Sequence, residues 1–235
     1  TVNDVNAIAL DSITIGNLTV AANGTIADNG NVIVTGTANL TAGALNGITL
    51  DSAGNNFANV TIVSGNDVTL VDIIAIGLNA STVSGNLTVT ANGNITDNGA
   101  IIANGTGTGA MFSAGSGDIT LDTTTNNLLA AGFSTTGNVT LRDINGVDLK
   151  ASTLGGDLSV TTTGAITDSG NLTVTGNTTL AAGATGDITL DEVVNDFGNV
   201  AITTGRNVVL VDVNAIGLGG AANSIISGNL TVTAN

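Results

Sequence analysis

The side chains with the best claim to chemistry are the acids, and the densest group of them is Asp187, Asp191, Glu192 and Asp196, with Asn195 alongside. A calcium ion takes six to eight oxygens, so a cluster of this kind is the minimum requirement. The corresponding acids elsewhere are thinner: Asp51 stands almost alone, and Asp118 with Asp122 lacks a following acid. The simpler reading is that Asp51, Asp122 and Asp191 close a strand and hydrogen-bond the next turn. Calcium at Asp187, Asp191, Glu192 and Asp196 is the alternative. No Gly-Gly-x-Gly-x-Asp tandem of the calcium-binding repeat type occurs.

Catalysis has little to work with. The chain has no His and no Cys, which removes Ser-His-Asp and Cys-His systems, the common zinc sites and any disulfide. Paired carboxylates could hydrolyse a glycoside. There is no Trp or Tyr to carry a sugar, however, and the three basic residues, Arg142, Lys150 and Arg206, are dispersed. The expectation is no enzyme, no cofactor and no catalytic residue. Gly105 to Gly109 is not a phosphate loop, since no Lys follows it. Eighteen acids against three bases give a net charge of −15, which excludes nucleic acid and anionic membrane as partners. The longest charge-free windows, such as Ile73 to Thr96, are broken by Asn, Ser, Thr and Gly, so no membrane insertion is expected. The chain opens Thr1-Val2-Asn3-Asp4, without a basic or apolar leader.

These residues recur. Ser84-Gly85-Asn86-Leu87-Thr88-Val89-Thr90-Ala91-Asn92 returns unchanged as Ser227 to Asn235. A Gly-x-Ile-x-Asp-x-Gly phrase stands at Gly24 to Gly30, Gly93 to Gly99 and Gly164 to Gly170, and Ile-Thr-Leu-Asp at Ile48, Ile119 and Ile188. Asp4, Asp72, Asp143 and Asp212 follow at intervals of 68, 71 and 69 residues. The chain therefore reads as one continuous array, 1–235, of units of about 70 residues: 1–68, 69–139, 140–208 and a partial 209–235.

Within each unit, apolar-Thr-apolar triplets alternate with Asn-Gly, Asp-Asn-Gly, Ser-Gly-Asn and Ala-Gly. Period-two triplets are short strands with one buried face, and the intervening pairs are turns. Strand centres about eight residues apart place nine strands in a unit. Aromatics are only 2% of the chain, too few for the core of an immunoglobulin-like sandwich. A β-solenoid needs none, because like aliphatic side chains stack on one another at about 4.8 Å per coil. The predicted fold is all-β, a right-handed parallel β-helix with about three strands per coil and about ten coils, each unit making three coils of about 23 residues. The inward residues are Leu18, Val20, Ile48, Leu50, Val60, Ile62, Val68, Leu70, Leu87, Val89, Ile119, Leu121, Val139, Leu141, Leu172, Val174, Ile188, Leu190, Val200, Ile202, Val208 and Leu210. On three coils per unit, equivalent Asp residues lie about 14 Å apart. The Thr-x-Thr pairs (Thr88 and Thr90, Thr173 and Thr175, Thr231 and Thr233) then recur once in three coils and form no continuous hydroxyl array. Asn17, Asn39, Asn59, Asn86, Asn94, Asn138, Asn171 and Asn229 each begin an Asn-x-Thr sequon; they read as turn-flanking residues, some stacked in ladders.

The phrases Ser84 to Asn92, Asn94 to Gly99, Gly186 to Asp191 and Asn207 to Leu218 resemble the repeats of filamentous-haemagglutinin-like bacterial exoproteins. The resemblance covers the full length. It implies a right-handed parallel β-helix forming the shaft of an extracellular or cell-surface fibre or adhesin. The implied partners are further coils of the same chain or another copy head to tail, and a host or cell-surface glycan. The array begins and ends within a unit and carries no polar or aromatic cap, which fits continuation or stacking at both ends. A binding patch is expected where repetition fails, at Asn104 to Phe112 or in the insert Gly219 to Ile225. A glycan- or receptor-binding module is thus the alternative to a purely mechanical role, with a polysaccharide-active enzyme a distant third.

Overall fold

A computed structural model describes residues 1–219 and 224–235. Strands make up the regular structure, and every pairing between them is parallel, between residues 18 to 25 positions apart. This is a parallel β-solenoid of about eleven turns. All twenty-two residues named above as inward are buried. So are the four phenylalanines, Phe57, Phe112, Phe133 and Phe197.

Two broad faces run the length of the rod. On the first, Ile8–Leu10, Ile26–Asp28, Ile48–Leu50, Val68–Asp72 and Leu87–Ala91 lie one above another. The second face carries Leu18–Ala22 and, further up, Ile76–Leu78, Ile95–Asp97, Ile119–Leu121 and Val139–Asp143. Like sits on like: Ile48 pairs with Val68 and Leu50 with Leu70, and β-branched or γ-branched chains fill the same groove turn after turn.

A short third side completes each turn, and it changes edge. In the first unit it follows the first face, as Ile13–Ile15 under Val32 and Val34 under Phe57. In the second it follows the second face, as a separate three-stranded sheet of Ser81–Val83, Ile101–Ala103 and Asn127–Leu128. In the third it returns to the original edge, with Ser152–Leu154 under Leu172 and Val174 under Phe197.

The expected three coils of about 23 residues per unit are therefore corrected to three and a half turns of about 20. Ile8 and Val147, two units apart, occupy the same face seven turns apart, whereas Ile76, midway between them in sequence, lies on the opposite face. Successive units are related by half a rotation and a rise of about 17 Å. The physical reason lies at Asp72 to Ala75. There the chain passes from one broad face to the other in a tight turn and omits the short side, so that turn is made from fewer strands than the others.

Close stacking at the corners requires glycine. A Cβ on Gly117 would sit 2.3 Å from the carbonyl carbon of Gly93 in the turn below. This is why Gly precedes the Asn or Asp at so many strand starts.

Candidate functional site

The polar residues that matter most to the shaft are inside it. In Val68-x-Leu70-x-Asp72 the acid shares the parity of two buried aliphatics, so the strand turns its carboxylate inward. Asp72, Asp143 and Asp212 are all buried. One carboxylate oxygen of each accepts the N–H of the last short-side strand, from Phe57 at 2.5 Å, Leu128 at 2.6 Å and Phe197 at 2.7 Å. The other accepts an N–H of the following turn, from Ile74, Asn145 and Asn214 at 2.7–2.9 Å. The carboxylate thus takes the place of the strand that the chain omits. Burial holds Asp72 and Asp143 above the usual carboxylate range, and the two amide bonds on each only partly offset it.

A serine, buried at Ser81 and Ser152 and exposed at Ser224, starts the short side on the opposite edge. Ser81, Ser152 and Ser224 accept the amide N–H of Ile62, Phe133 and Ile202 at 3.0–3.1 Å. A third device closes the wide loop after each Ile-Thr-Leu-Asp. Asn55, Asn126 and Asn195 are fully buried. Their side-chain oxygens accept from Val32, Ile101 and Leu172, and their amide groups donate to Asp28, Asp97 and Asp168 at 2.6 Å each. Burial also raises Asp168.

The turn-closing role assigned to Asp51, Asp122 and Asp191 belongs to the Asp one turn earlier. Their backbone N–H groups donate to Asp28, Asp97 and Asp168, while their own side chains are exposed. The calcium candidates are spread over different tasks. Asp187 forms a two-point ion pair with Arg206 at 2.8 and 2.6 Å, which holds its carboxyl well below the usual range. It also accepts from Asn207. Glu192 donates its N–H to Asp168, and Asp196 accepts from Asn214. Among the described residues no three acids, His or Cys gather where they could hold a metal ion.

The Thr-x-Thr pairs form no continuous array, with Thr88 between Thr69 and Met111 and Thr90 between Val71 and Ser113, but a hydroxyl rank of other residues does form outside. Thr96, Thr120, Thr140, Ser159 and Thr179 follow one another in register over five strands of the second face. Turns of about 20 residues, offset by half a rotation per unit, bring different triplets into one column. Beside this rank runs a ladder in which Asn94 accepts from Asp118, Asp118 from Asn138, Asn138 from Asp157 and Asp157 from Asn177. Of the sequon asparagines, Asn86, Asn94 and Asn138 stand in such ladders.

The two places singled out for broken repetition fare differently. Gly107, Thr108 and Met111 of the Asn104 to Phe112 segment line a cleft on the first face. The Gly219 to Ile225 insert lies mainly outside the described residues, which stop at 219 and resume at 224.

Parity along the strands was the signal for the buried Asp. The roles of the buried Asn and of the Ser had no comparable signal, because each lies in a turn or at a strand start whose pairing partner is some twenty residues away.

A family profile described as repeats of unknown function (DUF5649) matches residues 1–64, 65–132 and 136–204. No curated protein and no solved structure matches the chain.

Proposed function

The chain belongs to the DUF5649 family of repeats of unknown function, and from that premise we propose that it is the structural shaft of an extracellular fibre or filamentous surface adhesin, with no catalytic task. The observation that carries this reading is the unbroken register. The same two faces continue through about eleven turns, and each unit boundary is bridged by its own buried carboxylate and its own serine.

A rod of this kind resists bending because every turn is bonded to the next by backbone amides along the axis and by stacked aliphatic chains between them. Each fully buried aliphatic chain contributes about 1.5–3 kcal/mol before chain entropy is subtracted. Stacking of this kind extends by adding turns, so the partners in this reading are further coils of the same chain or another copy placed head to tail.

Surface chemistry supports an exterior setting. A charge of −15 keeps parallel rods apart, and three basic residues leave few sites for trypsin-like proteases. The resemblance to filamentous-haemagglutinin-like repeats points the same way. Electron microscopy of the native material tests the proposal: thin, unbranched rods of constant width with an axial spacing near 4.8 Å are expected. Globular particles would overturn it.

A further inference from the structure

In a repeat array, a residue that departs from its counterparts in the other units is conspicuous, and several such departures meet in one place. Six residues separate Ala103 from Ala110, where three separate Val34 from Ala38 and Val174 from Thr178. Met111, the one methionine, replaces Asn39 and Thr179 of the other units; Lys150, the one lysine, replaces Asp11 and Asn79; and Gly132 replaces Thr61 and Ala201. These positions span 47 residues of sequence, from Ala103 to Lys150, yet Gly107, Thr108, Met111, Lys150, Ala151 and Ser169 line a single open cleft of about 360 Å³.

The parts fit together. Met111 and Gly132 are paired in register, and a Cβ on Gly132 would lie 2.5 Å from the Met111 methyl carbon. The missing side chain is what lets the thioether lie flat across the face and form an apolar floor. At the rim, the Lys150 ammonium is 2.9 Å from the Asp148 carboxylate and donates to Ser169 Oγ at 2.9 Å, while the serine hydroxyl donates to Asp148 at 2.6 Å. Donors and acceptors are thus fixed side by side, and their charges cancel.

We infer that this cleft is a binding site for a neutral hexose unit of a glycan. The C–H face of the sugar would lie on Met111, and adjacent hydroxyls would donate to Asp148 and accept from Lys150. A charged ligand fits less well. An anion meets a lysine that is already neutralised on a strongly acidic rod, and a cation meets a carboxylate that is already paired. The inference rests on the shaft reading only for the setting in which a glycan is met. Microscopy tests that reading separately.

Because the chain has one methionine, 13C-methyl labelling of Met gives a single resonance, at the floor of the cleft. Methyl glucoside, methyl galactoside and methyl mannoside are titrated into the full chain, with glucuronate as the charged arm. At least one neutral glycoside should shift the Met111 methyl saturably in the millimolar range, and glucuronate should not. Lys150→Asn, which installs the residue of the equivalent position in the second unit, should keep the melting temperature and weaken that binding at least tenfold. Three results would each overturn the inference: no shift with any neutral glycoside, a shift with glucuronate alone, or an unchanged affinity in Lys150→Asn.

Discussion

Turns inside a unit and turns at a unit boundary are held by different means. Inside, Ile48 on Val68 and Leu50 on Leu70 need only shape and the backbone ladder. At the boundary, a carboxylate stands in for a missing strand, at Asp72, Asp143 and Asp212, and a serine begins the next short side at Ser81, Ser152 and Ser224. The first arrangement is tolerant, since many aliphatic residues fit a groove. The second is specific, because both oxygens of a buried acid must find N–H donors. The comparison shows how one sequence unit repeats in structure only after half a rotation: apolar stacking extends the rod, and the polar devices switch the edge.

The largest effect should come from breaking the interior with a charge. Ile188→Asp buries an unpaired carboxylate between Ile166 and Val208, and cooperative thermal unfolding of that region should be lost. An unchanged melting curve would show the position to be less enclosed than described. At the boundary, Asp143→Ala strands the N–H groups of Leu128 and Asn145. Destabilisation of about 2–4 kcal/mol is expected in a denaturant titration, reduced somewhat by removal of a buried charge. Equal loss in a surface control such as Thr140→Ala would erase the distinction drawn here.

A gain is expected where the interior carries a fault. Thr178 sits at the inward position of Ala38 and Ala110, and its buried hydroxyl has no hydrogen-bond partner among the described residues. Thr178→Val keeps the shape and should stabilise the chain by about 1 kcal/mol.

The smallest effect is that of acid. Asp72, Asp143 and Asp168 titrate above the ordinary carboxylate range because burial disfavours their charge. The folded state therefore binds protons more tightly than the unfolded one. The stabilisation linked to these groups is fully present below the unfolded carboxylate pKa and is lost as pH rises through the folded values. Melting at pH 4.5 should consequently be no lower than at pH 7. A marked drop on mild acidification would mean that the amide bonds to these carboxylates outweigh their burial.

Much of the fold was legible in the residues. Apolar-Thr-apolar triplets gave the inward positions, because alternation in a strand fixes which side chains meet the core. The number of turns per unit was not legible. It depends on Asp72 to Ala75 omitting a side, and that omission leaves no trace in local alternation. The hydroxyl rank was missed for the same reason, since Thr120 and Thr140 share a column only once the turn length is known. Of the acids, density drew notice to Asp187 and its neighbours, whereas the buried Asp72, Asp143 and Asp212 are isolated in sequence and act through backbone partners 15 residues away.

The half rotation is the claim on which the rest depends, and paired spin labels measure it directly. The chain has no cysteine of its own, so Thr49→Cys and Thr120→Cys place labels at equivalent sites of adjacent units, exposed on the first face and outward on the second. A separation beyond about 20 Å is expected from a 17 Å rise combined with the thickness of the rod. A separation near 14 Å, as for three whole turns on one face, would contradict it.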